Sequence, residues 1–136
     1  MSTATTTAKY IETVGRRKEA IARVRITPAS KMSMIVNGKE IATYFPTLQL
    51  RTIAMHMLEQ FKAAGTFKIT AVIHGGGING HAEALRHALA RAFTEHDPSL
   101  RIPVKRAGYL KRDPRAKERR KFGHKKARKS PSWSKR

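Results

Sequence analysis

Apolar and polar residues alternate with a period of two in three stretches of this chain, and a fourth stretch, at residues 10–14, is also interpreted as a short strand. Such alternation predicts β-strands that bury one face. The predicted strands cover residues 10–14, 19–27, 32–36 and 67–74. In two further stretches the apolar residues recur at three- and four-residue steps, which predicts amphipathic helices. The pattern therefore predicts a mixed α and β globule built on four strands.

The first predicted helix follows Thr47 as its N-cap, and the second covers residues 81–94. Its buried stripe is predicted to comprise Leu85, Ala88, Leu89, Ala92 and Phe93. Asp97 then precedes a proline, a combination typical of a helix start, and this short helix is expected to end at Pro103. Gly108 is predicted to close the folded part of the chain.

The second predicted strand has a buried face and a cationic face. Ala20, Ala22, Val24 and Ile26 share the buried face, and Arg23 and Arg25 lie on the other. The turn predicted at residues 15–18 adds three successive cations, Arg16, Arg17 and Lys18. A lone cationic triplet is typical of a solvated hairpin tip. Together with Arg23 and Arg25 it favours an edge that contacts nucleic-acid phosphates.

Positive charge is concentrated at one end of the chain. Residues 101–136 contain sixteen of the 29 Lys and Arg residues but two acids, which gives them a net charge of +14 out of +20. Beyond Leu110 the large apolar side chains are Phe122 and Trp133, so this segment cannot bury enough surface to offset the entropy of ordering. We therefore expect an extended tail that becomes ordered on a polyanion, with nucleic acid as the first candidate.

Composition and spacing argue against several other classes. No apolar run approaches the ~18 residues of a membrane-spanning helix, and the first ten residues lack a signal-peptide core. Cysteine is absent, which excludes disulfides and thiolate metal sites. The six histidines show no metal-ligand spacing, and no carboxylate pair is placed for acid–base catalysis. We therefore expect no enzymatic activity, cofactor, small-molecule substrate or membrane partner.

A glycine-rich stretch at residues 75–80 joins a predicted strand to a predicted helix. Gly75, Gly77 and Gly80 satisfy the G-x-G-x-x-G pattern of dinucleotide loops, but the second strand and acidic residue of that unit are missing. Two interpretations stay open. The stretch is either an anion seat, formed by backbone N–H groups at a helix start, or a tight packed turn, and the two are compatible.

Seven short motifs in order resemble the bacterial small-subunit ribosomal protein family S-nine over most of the chain, from about Tyr10 to Arg136. They are TVGRRKEAIARVR at 13–25, VNGK at 36–39, GGGING at 75–80, RDPR at 112–115, ERRKFG at 118–123, KKARK at 125–129 and SKR at 134–136. The chain departs from the family at His81, where Gln is usual, and at Trp133, where Phe or Tyr is usual.

The resemblance implies a two-layer α/β globule, in which helices cover one face of the mixed four-stranded sheet and a βαβ crossover is left-handed. It also implies a cytoplasmic protein of the small-subunit head that binds rRNA and neighbouring head proteins. The implied domains are a flexible N-terminus (1–9), a globular rRNA-binding domain (10–108) and an extended basic tail (109–136). The tip, Ser134, Lys135 and Arg136, would approach the anticodon stem-loop of the peptidyl-site tRNA.

The expected rRNA contacts combine charged side chains with the glycine stretch. In the globule they are Arg16, Arg17, Lys18, Arg23, Arg25, Gly75, Gly76, Gly77 and Asn79. In the tail they are Lys111, Arg112, Arg115, Lys117, Arg119, Arg120, Lys121, His124, Lys125, Lys126, Arg128 and Lys129. Phe122 and Trp133 either stack on unpaired bases or pin the tail to protein.

Two other functions are compatible with parts of the sequence. An independent nucleic-acid chaperone or DNA-compacting protein would have the same basic tail. A nucleotide-dependent enzyme would need the glycine stretch at residues 75–80 to hold a nucleotide, and the missing parts of that unit argue against it.

Overall fold

Five strands form one mixed sheet in the computed structural model, which describes residues 9–62 and 65–135. The strands are β1 (Ile11–Arg17), β2 (Ala20–Pro28), β3 (Ser33–Val36), β4 (Lys39–Glu40) and β5 (Phe67–His74). Their spatial order is β1-β2-β5-β3-β4. The predicted flexible N-terminus, apart from Lys9, and Arg136 of the predicted tip lie outside the described residues.

The pairing is antiparallel except between β3 and β5, which run parallel. The connection from β3 to β5 carries β4 and the helices α1 (Ile41–Tyr44) and α2 (Leu48–Gln60). The sheet has five strands rather than the predicted four, because β4 is a pair of residues and too short to show alternation. The left-handed sense of this crossover stays a prediction.

Helix α3 (Ile78–His96) packs across β1 and β2 and against α2. A 3₁₀ turn at Pro98–Leu100 and helix α4 (Arg101–Arg106) follow it. The predicted buried stripe of α3 is confirmed, because all five of its residues are at most 1% exposed. The buried face of β2 is also confirmed, since its four apolar residues are at most 1% exposed. One face of the sheet is therefore covered by helices, and the other is open.

The first strand is longer than predicted, and this changes where its cations lie. It continues to Arg17, which pairs with Ala20, so the turn consists of Lys18 and Glu19 rather than residues 15–18. Within the strand, Gly15 permits the close approach of α3. A Cβ at Gly15 would lie 2.2 Å from the carbonyl oxygen of Ala84.

Helices α3 and α4 also differ from their predicted bounds. Helix α3 begins at Ile78, three residues before the predicted start, so Asn79 and Gly80 belong to its first turn. Pro103 lies inside α4 instead of ending it. Proline is tolerated there because the first four N–H groups of a helix have no intrahelical acceptor. Asp97 caps the 3₁₀ turn, as its carboxylate accepts from the Ser99 N–H at 3.0 Å.

Packing against the globule continues past Gly108. Tyr109 is 7% exposed, and its hydroxyl donates to Gln60 Oε1 at 2.9 Å and lies 2.5 Å from His56 Nδ1. Both partners belong to α2, so Tyr109 fastens the start of the tail to the helical layer. The division of the chain into a domain at 10–108 and a tail at 109–136 stays a prediction, with Tyr109 as a core residue on the tail side.

Candidate nucleic-acid interface

The open face of the sheet carries arginines from two neighbouring strands. Antiparallel register places Arg16 beside Ile21, and Arg25 beside Glu12. Arg16, Arg23 and Arg25 therefore share the face that no helix covers. Glu12 forms ion pairs with Arg25 at 2.5 Å and with Arg23 at 3.9 Å. Glu12 is therefore shared by two of the three cations. Hydrogen bonding to its carboxylate raises the pKa of Arg25.

The three cations of the first hairpin point to different parts of the molecule. Arg16 lies on the open face, and Lys18 occupies the exposed turn with a positive φ of 52°. Arg17 lies on the helical side because side chains alternate along a strand. Its side chain is 11% exposed and forms an ion pair with Glu83 of α3. Arg17 is thus held by protein groups, and its contact with rRNA stays a prediction.

Arg17 also holds the beginning of the tail. Its guanidinium donates to the carbonyl oxygen of Arg115 at 2.7 Å and lies 3.4 Å from Asp113 Oδ2. Asp113 in turn accepts from the Arg115 N–H at 3.0 Å and pairs with the Arg115 guanidinium at 2.8 Å. These bonds hold the pKa of Asp113 well below its ordinary value, so its carboxylate stays ionised. We call this group of Arg17, Glu83, Asp113 and Arg115 the latch.

Two adjoining cavities, of about 260 and 320 Å³, lie between β1, α3 and the first residues of the tail. We call them the junction cavities. Arg16, His87 and Arg112 line both. Arg16 belongs to the open face by its position in the strand, and it lines the cavities at the edge of the sheet because β1 is an edge strand. Arg86 and Lys111 line the first, and Arg91 lines the second. Arg16, Arg112 and Lys111 are predicted contact residues that the fold brings together.

Sequence reasoning missed Arg86 and Arg91, which lie on the polar side of α3. Glu83 and His87 are four residues apart on α3, a spacing that allows a surface pair, but Glu83 instead forms an ion pair with Arg17. His87 Nδ1–H instead donates to the Tyr109 carbonyl at 3.2 Å. Burial and the neighbouring arginines lower the pKa of His87, although the bond to Tyr109 opposes this. The sequence feature that could have identified Arg86 and Arg91 is their position beside the apolar stripe of α3.

The glycine stretch forms a packed turn at the start of α3. Gly75 and Gly76 have φ values of +74° and +65°, which an L-residue rarely adopts. A Cβ on Gly75 would lie 2.6 Å from the Glu19 carbonyl oxygen. Among the described residues no strand follows α3, which removes the βαβ unit that a dinucleotide loop requires. Gly77 is the N-cap, and it and Asn79 are exposed, so an anion contact at this helix start stays a prediction.

A chain of hydrogen bonds connects this turn to Asn37, which follows β3. Asn37 is itself bonded to the backbone of Ile73 in β5, the central strand. Asn37 Nδ2 lies 3.2 Å from the Tyr44 hydroxyl, which lies 2.6 Å from His81 Nδ1. His81 Nε2–H donates to the Gly75 carbonyl at 2.6 Å. His81, one of the two residues that depart from the family pattern, therefore uses both ring nitrogens to hold the glycine turn. Burial raises the pKa of Tyr44, which keeps its hydroxyl protonated in this chain.

The distal tail has no regular secondary structure in the described residues 111–135, yet it is not uniformly extended. Glu118 pairs with Arg128 at 2.7 Å, and the Lys125 N–H donates to the Lys129 carbonyl at 2.9 Å. These contacts bend the segment into a loop with exposed cationic side chains. The loop and its flanks contain the predicted contacts Lys117, Arg119, Arg120, Lys121, His124, Lys125, Lys126, Arg128 and Lys129.

The two aromatic side chains of the distal tail are exposed. Phe122 is 100% exposed and Trp133 is 85% exposed. Neither packs on the globule in the described residues, and both alternatives, stacking on unpaired bases or pinning the tail to protein, stay predictions. Ser134 and Lys135 are also exposed.

None of the helices in the described part of the chain is long and apolar enough to cross a membrane. Within residues 9–62 and 65–135, no cluster of three or more His, Asp or Glu side chains could hold a metal ion.

Comparison with known proteins identifies the family. The sequence model described as ribosomal protein S9/S16 matches residues 15–136. The small ribosomal subunit protein uS9 of Salinispora arenicola (strain CNS-205) is 48% identical over 126 residues, which cover 93% of this chain and 81% of that protein. The protein of the same name from Nocardia farcinica (strain IFM 10152) is 48% identical over 93% of this chain and 75% of its own length. The chain therefore belongs to the ribosomal protein S9/S16 family, as its motifs predicted.

Proposed function

We propose that this chain is a structural constituent of the small ribosomal subunit, in the bacterial cytoplasm, and that it binds rRNA through its globule and its tail. Membership of a ribosomal protein family makes it a structural protein and not an enzyme. The observation that carries the rRNA contacts is the distribution of charge. Residues 101–136 have a net charge of +14, and most of their cationic side chains are exposed.

The globule contributes two cationic surfaces to this proposal. The open sheet face presents Arg16, Arg23 and Arg25, which sit on a rigid, hydrogen-bonded scaffold. The junction cavities present a second group of cations beside the point where the tail leaves. Cations on rigid elements can fix the position and orientation of the protein on an RNA backbone. Phosphate contacts of this kind set the register of the protein on the RNA but do not read its base sequence. We assign rRNA docking to these surfaces and extended rRNA contact to the tail.

We further propose that the tip of the tail contacts the peptidyl-site tRNA from the head of the subunit. Residues 112–136 would span about 80 Å if fully extended, at ~3.3 Å per residue. The bend between Glu118 and Arg128 shortens this reach and would open when RNA phosphates replace Glu118 as partners of Arg128. Contacts with neighbouring head proteins are also part of the proposal.

Reconstitution tests the main proposal. The full-length protein should co-sediment with small subunits in a fixed ratio at moderate salt and should be recovered with the head. An independent chaperone would instead distribute over free RNA and DNA in proportion to their amounts. That second outcome would overturn the structural assignment.

A separate experiment tests the tip. Deletion of Ser134, Lys135 and Arg136 should weaken peptidyl-site tRNA binding by assembled subunits and leave assembly unchanged. The matched control keeps the length and replaces Lys135 and Arg136 by Gln. An equal loss of tRNA affinity in the deletion variant and in the Gln variant would assign the effect to the charges of Lys135 and Arg136. Unchanged tRNA affinity in both would contradict a role for the tip.

A further inference from the structure

The junction cavities have an unusual surplus of positive charge. Their acidic lining residues are Glu83 and Asp113, and both are occupied by the latch. Four other cations line the first cavity and form no ion pair with a carboxylate in the described part of the chain. They are Arg16, Arg86, Lys111 and Arg112. The cavity therefore gathers like charges that repel one another in the free protein.

Two attachments hold the tail half of this cluster in place. Tyr109 is bonded to α2 through its hydroxyl and to His87 through its carbonyl oxygen. The second attachment is at Asp113, four residues after Tyr109. There Arg17 forms an ion pair with Asp113 and donates to the Arg115 carbonyl oxygen. Lys111 and Arg112 lie between these attachments, so the backbone that carries them is fixed at both ends. The globule half lies on β1 and α3, which are regular elements.

We propose that the junction is a preorganised seat for a phosphodiester group of RNA, with Arg17 as the positioning residue that holds the tail half of the seat. The assignment of the phosphate to RNA rests on the proposed function. Guanidinium groups suit the seat because they present planar N–H forks that match phosphate oxygens. The attachments at Tyr109 and Arg17 order the tail half before binding, which lowers the entropic cost of capturing the ligand.

The chemistry of Arg17 separates positioning from simple charge. Its Nε bonds Glu83, one terminal nitrogen bonds the Arg115 carbonyl, and the other faces Asp113. A lysine at this position keeps the charge but cannot make three such bonds in fixed directions. Arg17→Lys therefore preserves the net charge and removes the latch geometry.

His87 provides a spectroscopic reporter inside the seat. Burial lowers the pKa of His87, and three arginines beside it lower this pKa further. A bound phosphate would offset the arginines and raise the pKa of His87. The charged and titratable groups that line the cavities with His87 come from three elements. From α3 they are Glu83, Arg86 and Arg91, from β1 they are Arg16 and Arg17, and from the tail they are Tyr109, Lys111, Arg112, Asp113 and Arg115.

The first experiment titrates His87 by NMR in the full-length protein, in inorganic phosphate and in chloride at the same ionic strength. The wild type should show a higher His87 pKa in phosphate. Arg106→Gln removes the same charge outside both cavities and should respond like the wild type. Arg112→Gln should lose the response, and Arg17→Lys should weaken it. No response in the wild type, or an equal response in Arg112→Gln, would overturn the seat.

The second experiment measures the affinity of the full-length protein for small-subunit rRNA as a function of salt. Arg112→Gln and Arg86→Gln should each lower the slope of log K against log salt by about one. Arg106→Gln should leave the slope unchanged. If the wild type fails to bind rRNA, the proposed function fails. If the wild type binds and both seat variants match Arg106→Gln, the seat alone is wrong.

Discussion

The globule and the tail of this protein obtain their order in opposite ways. The globule buries apolar side chains from the sheet and from helices α2, α3 and α4 in one core. Beyond Tyr109, none of the described residues is buried, and the two aromatic side chains are exposed. The tail instead has a high density of positive charge, which opposes compaction. Burial of apolar surface therefore stabilises one region without a partner, whereas we expect the other to become ordered on a polyanion.

The junction between the two regions combines both kinds of interaction. Tyr109 contributes a buried ring, and the latch contributes ion pairs between Arg17, Asp113 and the first residues of the tail. Partly buried and exposed ion pairs contribute little to stability, so the latch is better understood as a device that orients the tail. Changes in the globule should therefore alter folding, changes in the tail should alter RNA affinity, and changes at the junction should alter both slightly.

Deletion of residues 117–136 is expected to have the largest effect. It removes ten Lys and Arg residues and one acid from the tail. If six to ten of these cations contact phosphates, the slope of log K against log salt should fall by roughly 5–9. Thermal unfolding of the globule should keep its midpoint. A full-length chain with the same ten cations changed to Gln serves as the control for length, and an unchanged slope in either variant would contradict the account.

A pair of phenylalanine substitutions contrasts the two regions directly. Phe93 is 1% exposed and packs edge-to-face on Phe67 at 5.0 Å between ring centroids. Phe93→Ala should lower the free energy of unfolding by about 3–5 kcal/mol, because it leaves a cavity in the core. Phe122→Ala should leave this free energy unchanged, since Phe122 is fully exposed. Urea unfolding followed by circular dichroism measures both, and a comparable loss in the two variants would break the distinction.

A glycine pair repeats the contrast for backbone packing. A Cβ at Gly15 would lie 2.2 Å from the Ala84 carbonyl oxygen and 2.4 Å from the Ala88 nitrogen. Gly15→Ala should therefore force β1 away from α3 and cost about 1–3 kcal/mol of unfolding free energy. A Cβ at Gly123 in the tail would meet no atom within 4 Å. Gly123→Ala should leave global stability unaffected, and equal denaturation midpoints for the two variants would refute this packing.

Removal of one hydroxyl tests the attachment of the tail. Tyr109→Phe keeps the buried ring and removes the bonds to His56 and Gln60. We expect a loss of about 0.5–1.5 kcal/mol in unfolding free energy. Hydrogen exchange of the backbone near Leu110 should also become faster. Wild-type stability together with unchanged exchange would show that the hydroxyl does not fasten the tail.

The smallest predicted effect is the pH dependence due to His87. Its pKa is lowered in the folded protein, so the unfolded chain binds the proton more readily. The folded state should therefore lose stability as pH falls below the ordinary histidine value of about 6.5 toward the lower folded pKa. His87→Gln should flatten this part of the profile, and an unchanged profile in this variant would contradict the prediction. Denaturant titrations between pH 5 and pH 8 provide the measurement.

Much of the globule could be predicted because its residues repeat with regular periods. Alternation identified the buried face of β2, and three- and four-residue steps identified the stripe of α3. The two-residue strand β4 escaped because a period needs more residues to be visible. The position of Arg17 escaped for another reason. It depends on where β1 ends, because the predicted strand stops at residue 14 whereas β1 continues to Arg17, and side chains alternate between the two faces along a strand.

The candidate interface shows a similar division between local and tertiary information. Cationic residues of the tail were recognisable from composition alone. Arg86 and Arg91 were not selected, because they join Arg112 through contacts between α3 and the chain that follows α4. Likewise, Tyr109 enters the core through partners on α2 about fifty residues earlier, which no local pattern reveals.

The most direct test is amide hydrogen exchange of the full-length protein, without RNA and then bound to small-subunit rRNA. Without RNA, amides of α3 should be strongly protected, and those from about residue 117 onward should exchange at the rates of an unfolded chain. On rRNA the same tail amides should become protected, and added salt should reverse this. Tail amides that are already protected without RNA, and that do not respond to salt, would contradict the account.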